Sequence, residues 1–253
     1  MKIRYRIAAW CRVIYSLLTT FGGVKSNIVG PEETLKELQK GRSLIRFGDG
    51  EFGIYRNRDI HYQKWSQELK DEFEEIKRDY EMDAGNCPYL LAVPQRFLTV
   101  SGWRLMKKRV YVSSWAESRR QFKKTFRRDI VYGDSFLFEK KNKAIYGEIW
   151  KGENTPRNVV FVHNSAECAQ AFRDTYQKYV EHVVCPPKDA FESVDALEQE
   201  ILSRIADNGW TSKDVMITIS AGPAGKVLVY RLSKQGYHCV DAGHCWDDPL
   251  EGI

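Results

Sequence analysis

Apolar side chains recur along this chain at two spacings, near 3.6 residues and near 2, and the switches between them mark its elements. Residues 3–21 carry Ile3, Ile7, Trp10, Ile14, Leu17, Leu18 and Phe21 on one helical stripe, with Arg12 opposite and Arg4 and Arg6 at its margins. Gly22-Gly23 ends that helix. Residues 31–40 read as a second helix, with Pro31 in the first turn, Leu35 and Leu38 inward, and Gly41 as the stop. Leu44-Ile45-Arg46-Phe47 predicts a strand, extended through Arg46 to Glu51. Residues 65–82 form a charged amphipathic helix on Trp65, Leu69, Phe73, Ile76 and Tyr80. A strand at 89–93 closed by Pro94, a strand at 109–113, a basic helix at 117–128 and a turn into a strand at 132–138 follow.

From about residue 155 the alternation is strict. Strands are predicted at 158–163, 182–185, 215–220 and 237–241, and helices at 166–179, 193–208 and 224–235. That order argues for parallel strands, right-handed crossovers and ligands at the carboxyl ends of the strands. No linker, repeat or low-complexity tract divides the chain. The expectation is a Rossmann-like α/β fold, a mostly parallel sheet flanked by helices. One domain spans 26–253, behind a basic amphipathic helix over 1–25.

The chemistry centres on Gly48-Asp49-Gly50-Glu51, where an apolar run stops at two carboxylates between glycines. In extended chain, residues two apart share a side, so Asp49 and Glu51 would converge. Such a pair suits a divalent cation with oxygen ligands; the alternative is a tight Asp-Gly turn with solvated acids. Ser220-Ala221-Gly222-Pro223-Ala224-Gly225-Lys226 is a strand end, a glycine turn and a helix start, suited to phosphate or serving as a plain turn. It is neither a Walker motif nor Gly-x-Gly-x-x-Gly. Asp241-Ala242-Gly243-His244 sets polar groups at another strand end, where His244 can bind phosphate, ligate metal, move a proton or be structural. His238 and Cys239 point to opposite faces of their strand, which argues against a zinc set with His244 and Cys245. Trp115 and the arginines at 119, 120, 127 and 128 either hold an anionic or sugar acceptor or form a solvated helix face.

Composition narrows the setting. The chain has 253 residues, enough for one sizeable core, and six cysteines with no Cys-x-x-Cys pair, which points to a reducing, cytoplasmic compartment. Lys2, Arg4, Arg6, Arg12 and Lys25 precede any acid, and the remaining 34 Lys and Arg equal the 34 Asp and Glu. The body is neutral, so no nucleic-acid partner is expected. The apolar run at 13–18 is too short to span a bilayer, and no cleavage site of the signal-peptide kind follows. The N-terminal helix suits a peripheral position on the inner membrane face, or packing on its own domain or in a homo-oligomer.

Several of these stretches, in this order, resemble bacterial glycosyltransferases of the GT-D fold, first known as a domain of unknown function. Arg46-Phe47-Gly48-Asp49-Gly50-Glu51 is similar to that family's Arg-Phe-Gly-Asp-Gly-Glu segment with its Asp-x-Glu metal motif. Residues 220–228 resemble its Gly-Pro-Thr-Ala-x-Val-Leu turn, Asp241-Ala242-Gly243-His244 its Asp-Ile-Gly-His, and residues 185–191 its Cys-Pro-x-Lys-Asn-Ala-Phe. Two places differ. His163-Asn164-Ser165-Ala166-Glu167 stands where the family often has Thr-Arg and Gly-Val-Gly-Asn-Asp, and Phe138-Glu139-Lys140 where it often has an arginine.

The resemblance implies sugar transfer from a nucleotide-diphosphate donor to a glycan or lipid-linked acceptor, in cell-surface polysaccharide or glycoprotein glycan synthesis. Asp49 and Glu51 would hold Mn²⁺ or Mg²⁺. Arg46, Phe47, Gly222, Pro223, Ala224 and Gly225 would bind the nucleotide, and Asp241 and His244 would serve catalysis. The same acid pair also suits a metal-dependent phosphoester hydrolase. The two differences and the N-terminal helix suit a non-catalytic membrane-associated sugar-nucleotide-binding module.

Overall fold

Eight strands form one sheet: β1 (Asn27–Ile28), β2 (Ser43–Arg46), β3 (Tyr89–Val93), β4 (Val131–Asp134), β5 (Asn158–His163), β6 (Tyr179–Val184), β7 (Val215–Ile219) and β8 (His238–Asp241). The computed structural model describes residues 2–152 and 155–243, without the side chains of 2–5. The sheet order is β1-β4-β3-β2-β8-β7-β5-β6, and every pairing is parallel. The helices are α1 (Lys2–Thr20), α2 (Pro31–Gln39), α3 (Asp49–Ile54), α4 (Gln67–Met82), α5 (Gln95–Thr99), α6 (Gly102–Leu105), α7 (Val112–Thr125), α8 (Lys143–Lys151), α9 (Ala166–Tyr176), α10 (Val194–Asp207) and α11 (Gly222–Lys234).

Helices on both faces bury the sheet, so β3 and β7 are buried at every position and read as unbroken apolar runs. The chain lays β2, β3 and β4 outward on one side and returns to β8 from the other. The reversal falls between β2 and β8, joined through Leu44 and Val240, and a reversal of this kind opens a crevice beyond the carboxyl ends.

Four predicted elements are corrected. The predicted strand over 46–51 stops at Arg46, and α3 begins at Asp49. Residues 109–113 are a 3-10 turn, Arg109–Tyr111, running into α7, because Trp115 and Phe122 face the core at helical spacing. At 132–138 the strand comes first. The Asp134 carboxylate accepts the backbone N–H of Phe136 and of Gln95 and so turns the chain at Ser135. Helix α9 ends three residues early, at Tyr176, where Gln177 takes the left-handed conformation and β6 starts at Tyr179.

Helix α1 packs on α7 chiefly through Val13, Ser16 and Thr20, and only Leu17 and Phe21 of its predicted stripe join that small core, half-buried. The Ser16 hydroxyl donates to the Ala116 carbonyl. Arg119 is fully buried, not on a solvated face; it donates to the carbonyls of Thr20 and Phe97, each at 2.6 Å, and to that of Val100. The small polar face wins because it satisfies hydrogen bonds that an apolar stripe cannot make. Ile7, Trp10, Ile14 and Leu18 of the stripe therefore point outward, with Trp10 63% and Leu18 81% exposed. No helix among the described residues is long and apolar enough to cross a membrane.

Burial pushes the Asp134 carboxyl up from 3.8 to about 6, against the two N–H donors and the charges of Arg96 and Lys141. An acid whose pKa is raised on folding costs stability above that pKa, because the unfolded chain ionises more easily. Asp134→Asn keeps the Oδ1 acceptor that both N–H groups use. It should raise stability by about 1–3 kcal/mol at neutral pH, a gain fading as pH falls from 6 towards 3. Urea unfolding across that range checks it; a gain independent of pH would contradict the burial argument.

Candidate active site

A cavity of about 850 Å³ opens at the carboxyl ends of the strands, on walls that include Arg46, Asp49, Tyr62, His163, Ser220 and Lys226. Its floor is set by how the chain leaves β2. Gly48 is extended and precedes α3, whose first turn carries Asp49 and Glu51, the place where the helix dipole favours acids. Glu51 turns back and accepts the Gly48 N–H at 2.7 Å. Extended-chain geometry therefore does not align the two acids, since residues two apart on a helix diverge by about 200°. They remain close enough for the charge of Glu51 to act on Asp49.

Lys226 on α11 joins these parts. Its ammonium lies 3.3 Å from Glu51 Oε1 and 3.1 Å from Asp241 Oδ2, with all three side chains buried. Burial disfavours that ammonium, but Asp241 and Glu51 outweigh it and hold its pKa above the ordinary value. Arg46 completes the cluster. Its backbone N–H donates to Asp241 Oδ2 at 3.2 Å, and its guanidinium donates to the carbonyls of Asp241 at 2.7 Å and Ser135 at 2.9 Å over the Phe138 ring. Two cations thus balance Glu51 and Asp241. Asp49 has no ion-pair partner among the described residues, and the Ser114 hydroxyl lies beside it. It is open to the cavity yet walled closely enough that desolvation, reinforced by Glu51, raises its pKa.

The sequence-selected residues separate. Arg46, Asp49, Glu51, Gly222 and Pro223 line the cavity. Phe47 does not: it is buried among Tyr55, Phe73 and Phe126. Ala224 is also core, and Gly225 packs with its Cα side on Ile219 near Asp241, where a Cβ would come 3.1 Å from the Ile219 side chain. Asp241 is buried and paired twice, so its position is that of an anchor for Lys226 and Arg46 rather than of a base facing the cavity. His244 lies outside the described residues.

Three features escaped the sequence reading. Lys226 is one. The second is Tyr62, on a loop between α3 and α4 held by Asp189 N–H to Tyr62 O at 2.9 Å and Phe191 N–H to Gln63 Oε1 at 3.1 Å. Burial and the charge of Glu51 push its hydroxyl up to about 12, and its ring occupies the space a Gly222 Cβ would need, at 2.9 Å. With φ +54, Gly222 is thus required by backbone and packing before any ligand enters. The third is buried Glu117 on the cavity wall, gripped by Arg12, Arg56 and Arg58.

Asp49 offers a hard oxygen donor with no ion-pair partner among the described residues, and Glu51, whose two oxygens already meet Lys226 and the Gly48 N–H, would share its remaining lone pairs with a cation. No cluster of three or more His, Cys, Asp or Glu suited to a metal occurs among the described residues. Two carboxylates fit Mg²⁺ or Mn²⁺, which keep waters and share substrate phosphates, better than they fit a closed zinc site.

Sheet order, parallel pairing and an acid-bearing crevice at the strand reversal place the chain among α/β proteins that hold ligands at the carboxyl edge. Within that class, the chain belongs to the glycosyltransferase GT-D fold family, matching it over residues 44–248. It is 26% identical over 234 residues to "Glycosyltransferase GlyD" of Streptococcus pneumoniae serotype 4, covering 86% of this chain and 26% of that protein. It is 24% identical over 216 residues to "Probable glycosyl transferase Gly" of Streptococcus gordonii, covering 82% and 30%. The chain thus spans about a quarter to a third of the length of these relatives. A Streptococcus sanguinis structure described as a new glycosyltransferase superposes with a TM-score of 0.64 at 22% identity, covering 87% of this chain and 82% of that one. A second structure, described as a distinct glycosyltransferase fold, gives 0.69 at 20% identity over 94% and 82%. These structures share its fold.

Removing one partner from a buried ion cluster strands the others. Lys226→Met should cost about 3–5 kcal/mol of stability, and adding Asp241→Asn should restore part of it. Urea denaturation of both singles and the double checks this; strictly additive losses would show that Lys226 and Asp241 act independently.

Proposed function

We propose that this chain transfers a sugar from a nucleotide-diphosphate donor to a glycan or lipid-linked acceptor, with Mn²⁺ or Mg²⁺ held by Asp49 and Glu51. The observation that carries the reading is the Asp49 carboxylate, without an ion-pair partner among the described residues, beside a fixed set of cations in a cavity large enough for a nucleotide sugar. Both relatives named as glycosyltransferases support it. In such a transfer the bond from the sugar's anomeric carbon to the diphosphate breaks, its electron pair leaving with the nucleoside diphosphate. The acceptor oxygen takes its place on that carbon as its proton leaves to solvent.

The chain's own residues have separable tasks. Arg46, tied to Asp241 and Ser135, presents a positive charge already oriented before substrate arrives, so little reorganisation is needed as charge develops. Lys226 fixes the direction of Glu51. Phe138 supports Arg46, and His163 closes β5 with its Nδ1 accepting the Ser165 N–H at 2.9 Å, so its Nε2 is the ring donor when neutral. A bound divalent ion would add charge neutralisation for the departing diphosphate. Residues 1–25 would keep the protein at the inner membrane face, where a lipid-linked acceptor is met.

Asp49→Asn should lower turnover by about a hundredfold or more while leaving the melting temperature unchanged or higher, since Asp49 has no ion-pair partner among the described residues and burial disfavours its charge. Chelator should reproduce that loss and Mn²⁺ should reverse it in the wild type only. The measurement is nucleoside-diphosphate release across a panel of nucleotide sugars, with and without acceptor. Release dependent on acceptor supports transfer. Release to water alone would point to a hydrolase, absence of release to a binding module, and full activity in chelator would overturn the metal.

A further inference from the structure

The outward stripe on α1 borders a second, smaller cavity of about 480 Å³ between α1 and α7. Its walls carry Arg12 and Tyr15 from α1 and Arg120, Lys123 and Lys124 from α7, with no acid among them. Arg12 touches Glu117 at 3.5 Å through Nε, while its Nη2 is buried with no hydrogen-bond partner among the described residues. Arg120 lies over the Tyr15 ring at 5.8 Å. The dipole of α7 accounts for the lysines in its last turn and Glu117 for the Nε of Arg12, but neither accounts for Arg120 or for the buried Nη2 of Arg12.

The surroundings of this basic cavity are apolar and exposed. On α1 the cavity row Cys11, Tyr15 and Thr19 neighbours the row Trp10, Ile14 and Leu18, since each row repeats every four residues. The Phe21 ring then meets Trp103 edge-on at 5.4 Å, carrying the same face onto α6 and the turn after it. There Trp103 is 76% and Val110 80% exposed, among Arg104, Lys107, Lys108 and Arg109 and no acid. Exposed tryptophan and aliphatic side chains among unopposed cations match an interface of acyl chain and anionic head group. A second protein chain would need acids to match so many cations, and this chain's own exposed apolar face brings none.

We propose that the cavity between α1 and α7 binds the phosphate of an anionic phospholipid head group, seating α1, Trp103 and Val110 in the bilayer interface. This deepens the membrane reading of residues 1–25 and adds two parts outside them, the α7 lysines and the 102–110 segment. It does not depend on the sugar chemistry.

Sedimentation of the full chain with phosphatidylcholine vesicles, with and without phosphatidylglycerol, tests it in the absence of any sugar nucleotide. The wild type should bind only the anionic vesicles and keep binding in millimolar inorganic phosphate. Lys123→Gln with Lys124→Gln should weaken binding roughly tenfold or more, and Trp103→Ser with Val110→Ser should weaken it as well, with melting temperatures unchanged. Wild-type binding that neither pair of substitutions changes would overturn the head-group site while sparing the membrane reading. No vesicle binding at all would overturn both. Displacement by inorganic phosphate would identify a soluble-anion site instead. A dimer that Trp10→Ser dissociates, without vesicle binding, would show a second copy on this face.

Discussion

The buried charge cluster of Arg46, Glu51, Lys226 and Asp241 is the constraint on which the cavity end of the molecule depends. None of these groups is tolerable alone in the interior, where an unpaired ion costs several kcal/mol. Together they join the end of β2, the first turn of α3, the buried face of α11 and the end of β8. Pairing of Leu44 with Val240 makes the arrangement obligatory, because it sets Arg46 beside Asp241 across the strand reversal. Gly225 lets α11 lie close enough for Lys226 to reach both acids. The cluster leaves Asp49 open, so the same contacts that hold the fold decide how this carboxylate faces the cavity.

The carboxyl-terminal half was legible because parallel strands buried on both faces write themselves as apolar runs between helical periods. Asp49 and Glu51 were legible as a pair, though their geometry was not. An extended Gly48 followed by acids is also a helix start, and Glu51 at the third helical position gains the Gly48 N–H. Lys226 did leave a signal: a lysine between Ala224 and Val227-Leu228-Val229 sits on a helix face that must be buried, and a buried lysine requires acids. Glu117 left none. Its three arginines come from positions 12, 56 and 58, and only tertiary structure brings them to residue 117.

Helix α1 shows how an amphipathic pattern states that an apolar face exists without stating what it meets. Its inward side is small and partly polar, and Ser16, Thr20 and Arg119 lock it to α7 through hydrogen bonds. Arg12 then reaches the buried Glu117, which Arg56 and Arg58 grip from the cavity side. One carboxylate thus ties the amino-terminal helix to the wall of the larger cavity. Sliding α1 along α7 would break that tie and leave Glu117 with a changed set of cations in a place where water cannot compensate. The outward stripe is therefore held in fixed relation to the cavity mouth. What α1 rests on sets the orientation of the cavity mouth.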